Sequence, residues 1–234
     1  MSVATANVEV PAKVSRLAVF WKSQIGKKFV SAVTGIILSL FVVGHLVGNL
    51  QVFEGLERLN AYAHFLQSAT ELLWPVRIVL LAAVILHATA GIQLYLASRA
   101  ARPVPYRVPL ASSTSVASRT MIWSGLLILA FVVYHILDLT VGAAMVHAGF
   151  VPGNAFLNVV TSFRNWSKVI FYAAALVGLG FHLSHGLYSL LQSLGFRSPL
   201  WTPPIKQAAV VVGVILAVFY IFIPAGVVVG LIHL

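Results

Sequence analysis

The stretch FVVGHLVGN, Phe41 to Asn49, sets a histidine inside an apolar run that extends from about residue 29 to residue 50. As a helix rising 1.5 Å per residue, such a run is long enough to cross a bilayer core of roughly 30 Å. His45 therefore lies in or near lipid. An ionisable side chain there costs about 2.5 kcal/mol or more unless it is neutral and bonded, so an intramembrane histidine is by default a mark of function. The pattern recurs along the chain: ILHATAG surrounds His87, VVYHILD surrounds His135, and GFHLSHG contains both His182 and His185.

Composition fixes the class independently. Of 234 residues, 60% are hydrophobic and only 9% are charged, against about 25% charged in an ordinary soluble domain. This describes an integral membrane protein. The formal net charge is +10, but the basic residues are dispersed between apolar runs and do not form one polar domain. They read as topology signals and contacts to membrane lipid, with no nucleic-acid partner. With no cysteine in the chain, disulfides, a covalent C-x-x-C-H haem site and a cysteine-ligated iron–sulfur cluster are excluded within it. Iron held here must be held by histidine.

Residues 1–28 are polar and basic, and Val14, Leu17, Trp21 and Ile25 recur at near-helical spacing opposite Lys13, Arg16 and Lys22. They suit an uncleaved cytoplasmic segment, either a short helix on the membrane surface or a basic tail. Five spanning segments follow, at about 29–50, 74–97, 121–143, 168–192 and 207–232, and the whole chain reads as one membrane-anchor domain. Lys13, Arg16, Lys22, Lys27, Lys28, Arg99, Arg102, Arg107, Arg119, Arg197 and Lys206 fall on one side, against Arg58, Arg77, Arg164 and Lys168 on the other. By the positive-inside rule the N-terminus is cytoplasmic and the C-terminus outside. The expected fold is all-α, a five-helix transmembrane bundle. Residues 51–73 suit an outer surface helix, residues 98–118 an extended cytoplasmic loop, and SPLWTPP (198–204) a short turn. No internal repeat stands out.

Orientation converts four histidines into two pairs. The first and third segments run outward and place His45 and His135 in the outer half; the second and fourth run inward and place His87 and His182 near the middle or just inside it. A planar cofactor with two axial ligands needs facing histidines at equal depth, which this topology provides twice, so two bis-histidine b-type haems stacked across the membrane are expected. His185 lies one turn beyond His182 on nearly the same face, and depth alone leaves it open. His64, His147 and His233 read as solvated.

GHLVGN, LHATAGIQLYLA, YHILDL and FHLSHGLYSLLQSLG together resemble the five-helix, di-haem cytochrome b anchor of succinate:quinone oxidoreductases and fumarate reductases, over nearly the whole chain. The resemblance implies that His45 and His135 ligate an outer haem and His87 and His182 an inner one. It selects His182 over His185, which would sit beside the inner haem. It implies a flavoprotein subunit and an iron–sulfur subunit as partners, and electron transfer to a membrane quinone, menaquinone or ubiquinone. No flavin or succinate site is expected on this chain, and a higher oligomer of the complex is compatible with the reading. Glu71 lies near where some relatives carry a quinol-linked acid, and Asn49 is a second candidate quinone contact; a solvated helix-start acid and a helix cap are the plainer alternatives. One branch of the family uses a glutamate two residues before the ligand on the fourth helix for proton transfer, and Gly180 stands here in its place. Two other functional classes fit the same residues: the di-haem subunit of another quinone-linked enzyme, such as a hydrogenase or formate dehydrogenase, and a haem-free transporter with a histidine proton relay.

Overall fold

The computed structural model describes residues 15–101, 115–196 and 198–234. The basic segment before Ser15, most of the 98–118 loop and Arg197 lie outside the described residues. Helix α1 (Arg16–Lys22) ends at Ser23, whose extended backbone breaks the helix. Its hydroxyl accepts from the Gly26 amide and caps α2 (Gln24–Asn49). A 3₁₀ turn continues α2 to Glu54, and Gly55, at φ 98°, makes the left-handed turn into α3 (Leu56–Ser68). Then come α4 (Thr70–Ala100), the single turn α5 (Val116–Arg119), α6 (Met121–Ile136), α7 (Ala155–Phe163), α8 (Trp166–Ser193) and α9 (Thr202–Val228).

Among the described residues, five helices are long and apolar enough to cross a membrane: α2 with its 3₁₀ extension, α4, α6 with the π-helical turn Leu137–Val141, α8 and α9. The chain is a multi-pass membrane protein. Helices α2, α4, α6 and α8 pack as a ring in that order, with α8 returning to α2, and α9 braces the α8 and α2 side. Backbone contact follows the edges of this ring, and its two diagonals, α2 to α6 and α4 to α8, are not among the substantial helix contacts.

One expectation for the connections changes, and one further connection holds a helix. Pro203 and Pro204 belong to the first turn of α9, where a missing amide proton costs nothing and the fixed φ favours helix, so the turn ends at Trp201. The stretch between the third and fourth spans holds α7, which is apolar but only 9 residues long, too short to span. It buries Phe156, Val159, Val160 and Phe163 over the bundle end against Val52, Leu59, Tyr172, Ile223 and Val227. Asn60 ties α3 to it, donating to the Asn154 side chain and accepting from the Phe156 amide, both at 3.0 Å.

The α8–α9 seam is made of small residues, Gly180 and Ser184 against Gly213 and Ala217. A Cβ on Gly213 would lie 2.6 Å from Ser184 Oγ and 2.7 Å from the Gly180 carbonyl, so the backbones touch in the small-xxx-small manner. Gly213→Leu is expected to cost about 1–3 kcal/mol through overpacking, read as a lower melting temperature of the detergent-purified protein. Val212→Leu, on an outward-facing neighbour, should leave the melting temperature unchanged.

Candidate functional site

The four predicted histidines meet in two pairs across the open diagonals. His45 on α2 faces His135 on α6 with ring centroids 5.8 Å apart, and His87 on α4 faces His182 on α8 at 6.1 Å. A metal–imidazole nitrogen bond is about 2.0–2.1 Å, so two rings across one metal ion hold their centroids about 6 Å apart. Each pair offers two nitrogens, the donor count suited to a metal whose equatorial ligands come from a macrocycle.

Hydrogen-bond direction fixes which ring nitrogen is free. His87 Nδ1 lies 3.0 Å from the Ser31 carbonyl, which can only accept, so Nδ1 carries the proton and donates. It also lies 3.2 Å from Thr34 Oγ1, whose own proton goes to the Val30 carbonyl at 2.7 Å. His182 Nδ1 lies 3.2 Å from Ser124 Oγ, which donates to the Met121 carbonyl at 3.1 Å and so can accept from the ring. In both rings Nε2 is left with a lone pair, the state a metal ligand requires. Glycine makes this close approach feasible: a Cβ on Gly35 would lie 3.3 Å from His87 Cε1, and one on Gly125 the same distance from His182 Cε1.

The other pair is held differently. Phe41 stacks on His45 at 5.2 Å with 16° between the planes, and Phe131 lies against His135 at 5.6 Å. Gly35 and His45 are ten residues apart, as are Gly125 and His135, so the two levels are separated by about 15 Å along the helices.

These matched contacts expose an internal repeat that the chain does carry. TGIILSLFVVGH (Thr34 to His45) aligns with SGLLILAFVVYH (Ser124 to His135), and HATAGI (His87 to Ile92) with HLSHGL (His182 to Leu187). The repeat equates His182 with His87, and His185 with Ala90. His185 is half-buried one turn away, and the ring opposite His87 is that of His182.

Asp138 is the residue that the sequence reading missed. Fully buried on the π-helical turn after α6, it accepts from Lys168 Nζ at 2.6 Å, Ser162 Oγ at 2.6 Å and Tyr172 OH at 2.9 Å. His147, expected to be solvated, is only 5% exposed and lies 3.2 Å from the same carboxylate. The correction has a physical cause: α7 roofs this end and removes it from solvent. An acid inside the apolar 121–143 segment was the available signal. His64 and His233 are exposed.

The two quinone candidates do not share a site. The Asn49 side chain donates to the His45 carbonyl at 2.6 Å, serving the backbone of α2. Glu71 is exposed in the first turn of α4, beside a shallow cleft with Ser68, Thr70 and Leu72. A larger cleft of about 520 Å³ is lined by Val47, Gln51, Glu54, Arg58, Tyr62 and Phe65.

Residues 98–223 match the family described as succinate dehydrogenase/fumarate reductase transmembrane subunit. The chain belongs to this family. No curated protein and no solved structure matches it significantly. The protein is thus a membrane subunit of the succinate and fumarate oxidoreductases, which sets aside a hydrogenase or formate dehydrogenase subunit.

The buried ion pair yields a stability test. Lys168→Met takes the lysine ammonium away from the buried Asp138 carboxylate, a loss of about 3–5 kcal/mol. It should appear as a clear fall in melting temperature, whereas Arg58→Met, which removes an exposed pair with Glu54, should shift it little.

Proposed function

We propose that this subunit is the di-haem cytochrome b anchor of a bacterial succinate:quinone oxidoreductase, set in the cytoplasmic membrane with its N-terminus inside. The observation that carries the reading is the pair of facing imidazoles at each level, at 5.8 and 6.1 Å, with Nδ1 of His87 and His182 committed to protein acceptors. His45 and His135 would hold the outer haem and His87 and His182 the inner one. When bound, each haem supplies a one-electron carrier, so electrons from an iron–sulfur subunit can pass to a membrane quinone. This chain's residues then have three tasks. The histidines would hold iron, Ser31, Thr34 and Ser124 fix the orientation of the inner pair, and the apolar walls of the spans exclude water. Flavin and succinate chemistry would belong to the flavoprotein subunit, and menaquinone or ubiquinone would be the acceptor.

Lys22, Lys27, Lys28, Arg99 and Arg119 cluster at the ends of α2, α4 and α6 nearest His87 and His182. This basic face suits anionic headgroups and an acidic patch on the iron–sulfur subunit. A pyridine haemochrome assay of the assembled complex should give about two haems b per chain. An assembled complex free of haem would overturn the reading in favour of a histidine relay.

The ligand assignment gives a second expectation. His87→Ala or His182→Ala should remove one haem and spare the one held by His45 and His135, while His185→Ala should retain both, scored by haem content and low-temperature difference spectra. Loss of a haem in His185→Ala together with two in His182→Ala would reverse the assignment on α8.

A further inference from the structure

Among the described residues the outer pair has no Ser or Thr clamp equivalent to Thr34 and Ser124, and the repeat shows what replaces it. Tyr172 OH lies 3.4 Å from His135 Nδ1 and donates its single proton to Asp138 at 2.9 Å. With that proton committed, the phenol oxygen can only accept from the ring. His135 therefore carries its proton on Nδ1 and presents Nε2 to His45. Asp138 is in turn held by Lys168 and Ser162 at its carboxylate and by His147 at its main-chain carbonyl, so it accepts the Tyr172 hydrogen bond in a fixed position.

The same alignment places Gly48 opposite Asp138 and Arg77 opposite Tyr172. Gly48 has no side chain to accept a proton, and Arg77 is exposed with its guanidinium over Trp74. His45 is steadied instead by stacking on Phe41. Both rings of the outer pair thus carry a phenylalanine, Phe41 on His45 and Phe131 on His135, and on the His135 side a hydrogen-bond relay ending in a buried carboxylate is added.

We propose that Tyr172 and Asp138 are positioning residues for the outer haem, acting through His135: Tyr172 sets its tautomer and Asp138 orients Tyr172. The proposal rests on the di-haem reading above. A ligand imidazole that donates from its second nitrogen is a stronger electron donor to its metal, and a stronger donor favours oxidised iron. The relay therefore holds the outer haem at a lower reduction potential than an unsupported imidazole would. Lys168 anchors the far end of the chain, so the carboxylate keeps one orientation when the ring is in place.

Potentiometric titration of the haems in membranes carrying the assembled complex tests this, with the two waves assigned by the single-ligand variants. Tyr172→Phe keeps the ring packing against Phe131 and Phe163 and removes only the hydroxyl. It should retain both haems, raise the potential of the His45–His135 haem and leave the other wave in place. Asp138→Asn should raise the same wave, and in the double variant the shift should not exceed that of Tyr172→Phe alone, because the two act in series. If Asp138→Asn fails to assemble, Tyr172→Phe decides the matter by itself. An unchanged outer wave, or equal movement of both waves, would overturn the proposal while the di-haem reading stands. Additive shifts would make Asp138 a bare charge and overturn the relay. No haem in the unsubstituted complex would remove the reading on which the proposal rests.

Discussion

An imidazole inside a lipid span has two nitrogens and no water to satisfy them, and the bundle is arranged around that constraint. For three of the four paired histidines, Nδ1 has a partner within the protein, so Nε2 is the atom left facing across the bundle. Those atoms can converge only where helices stand apart. The open diagonals of the four-helix ring, the glycines at 35 and 125 and the fifth helix on one flank are consequences of holding rings, and not backbones, at the centre.

The two levels meet the constraint with different materials. Near the basic end, Ser31 acts through its main-chain carbonyl and Thr34 and Ser124 through hydroxyls whose own protons go to helix carbonyls, a local bond open to Ser and Thr in apolar helices. At the opposite end the support is an acid in the third span, Asp138, held by Lys168 and Ser162 and buried with Ser162 and His147. A buried ion pair is a poor source of stability compared with apolar packing. Its retention here fits a role in orientation, since the carboxylate accepts from Ser162, Lys168 and Tyr172 and so holds each of them to one geometry.

Much of this was legible in the sequence because lipid enforces a simple code. Apolar runs of spanning length had to be helices, basic residues sorted the connections, and alternation of direction turned four histidine positions into two depths. What stayed hidden depended on contacts that run length does not encode. The segment around α7 is too short to span, so its apolar face carried no message until the bundle end beneath it was known, and His147 was misjudged for the same reason. Asp138 is different: an acid three residues after a paired histidine, inside a span, was visible in YHILDL and was overlooked. The repeat was also present in the letters, but its matching residues, Thr34 with Ser124 and Phe41 with Phe131, gain meaning only when each pair is seen to touch equivalent rings.

Gly180 shows how packing also limits the chemistry this bundle can host. A Cβ at that position would lie 3.1 Å from the Ala217 Cβ and 3.2 Å from the Gly213 carbonyl, so a longer side chain would have to force α9 away from α8. The position where one branch of the family carries a proton-transferring glutamate is therefore occupied here by a helix seam. A carboxylate there would lose contact along the close α8–α9 seam. The acid that this chain does bury, Asp138, sits on a π-helical turn closed by Gly142 at φ 65°, where the wider turn admits Lys168 and Tyr172 to its oxygens. Buried charge is accommodated where the backbone departs from the regular helix, while regular helix, lined with glycine and alanine, is used to bring spans into contact.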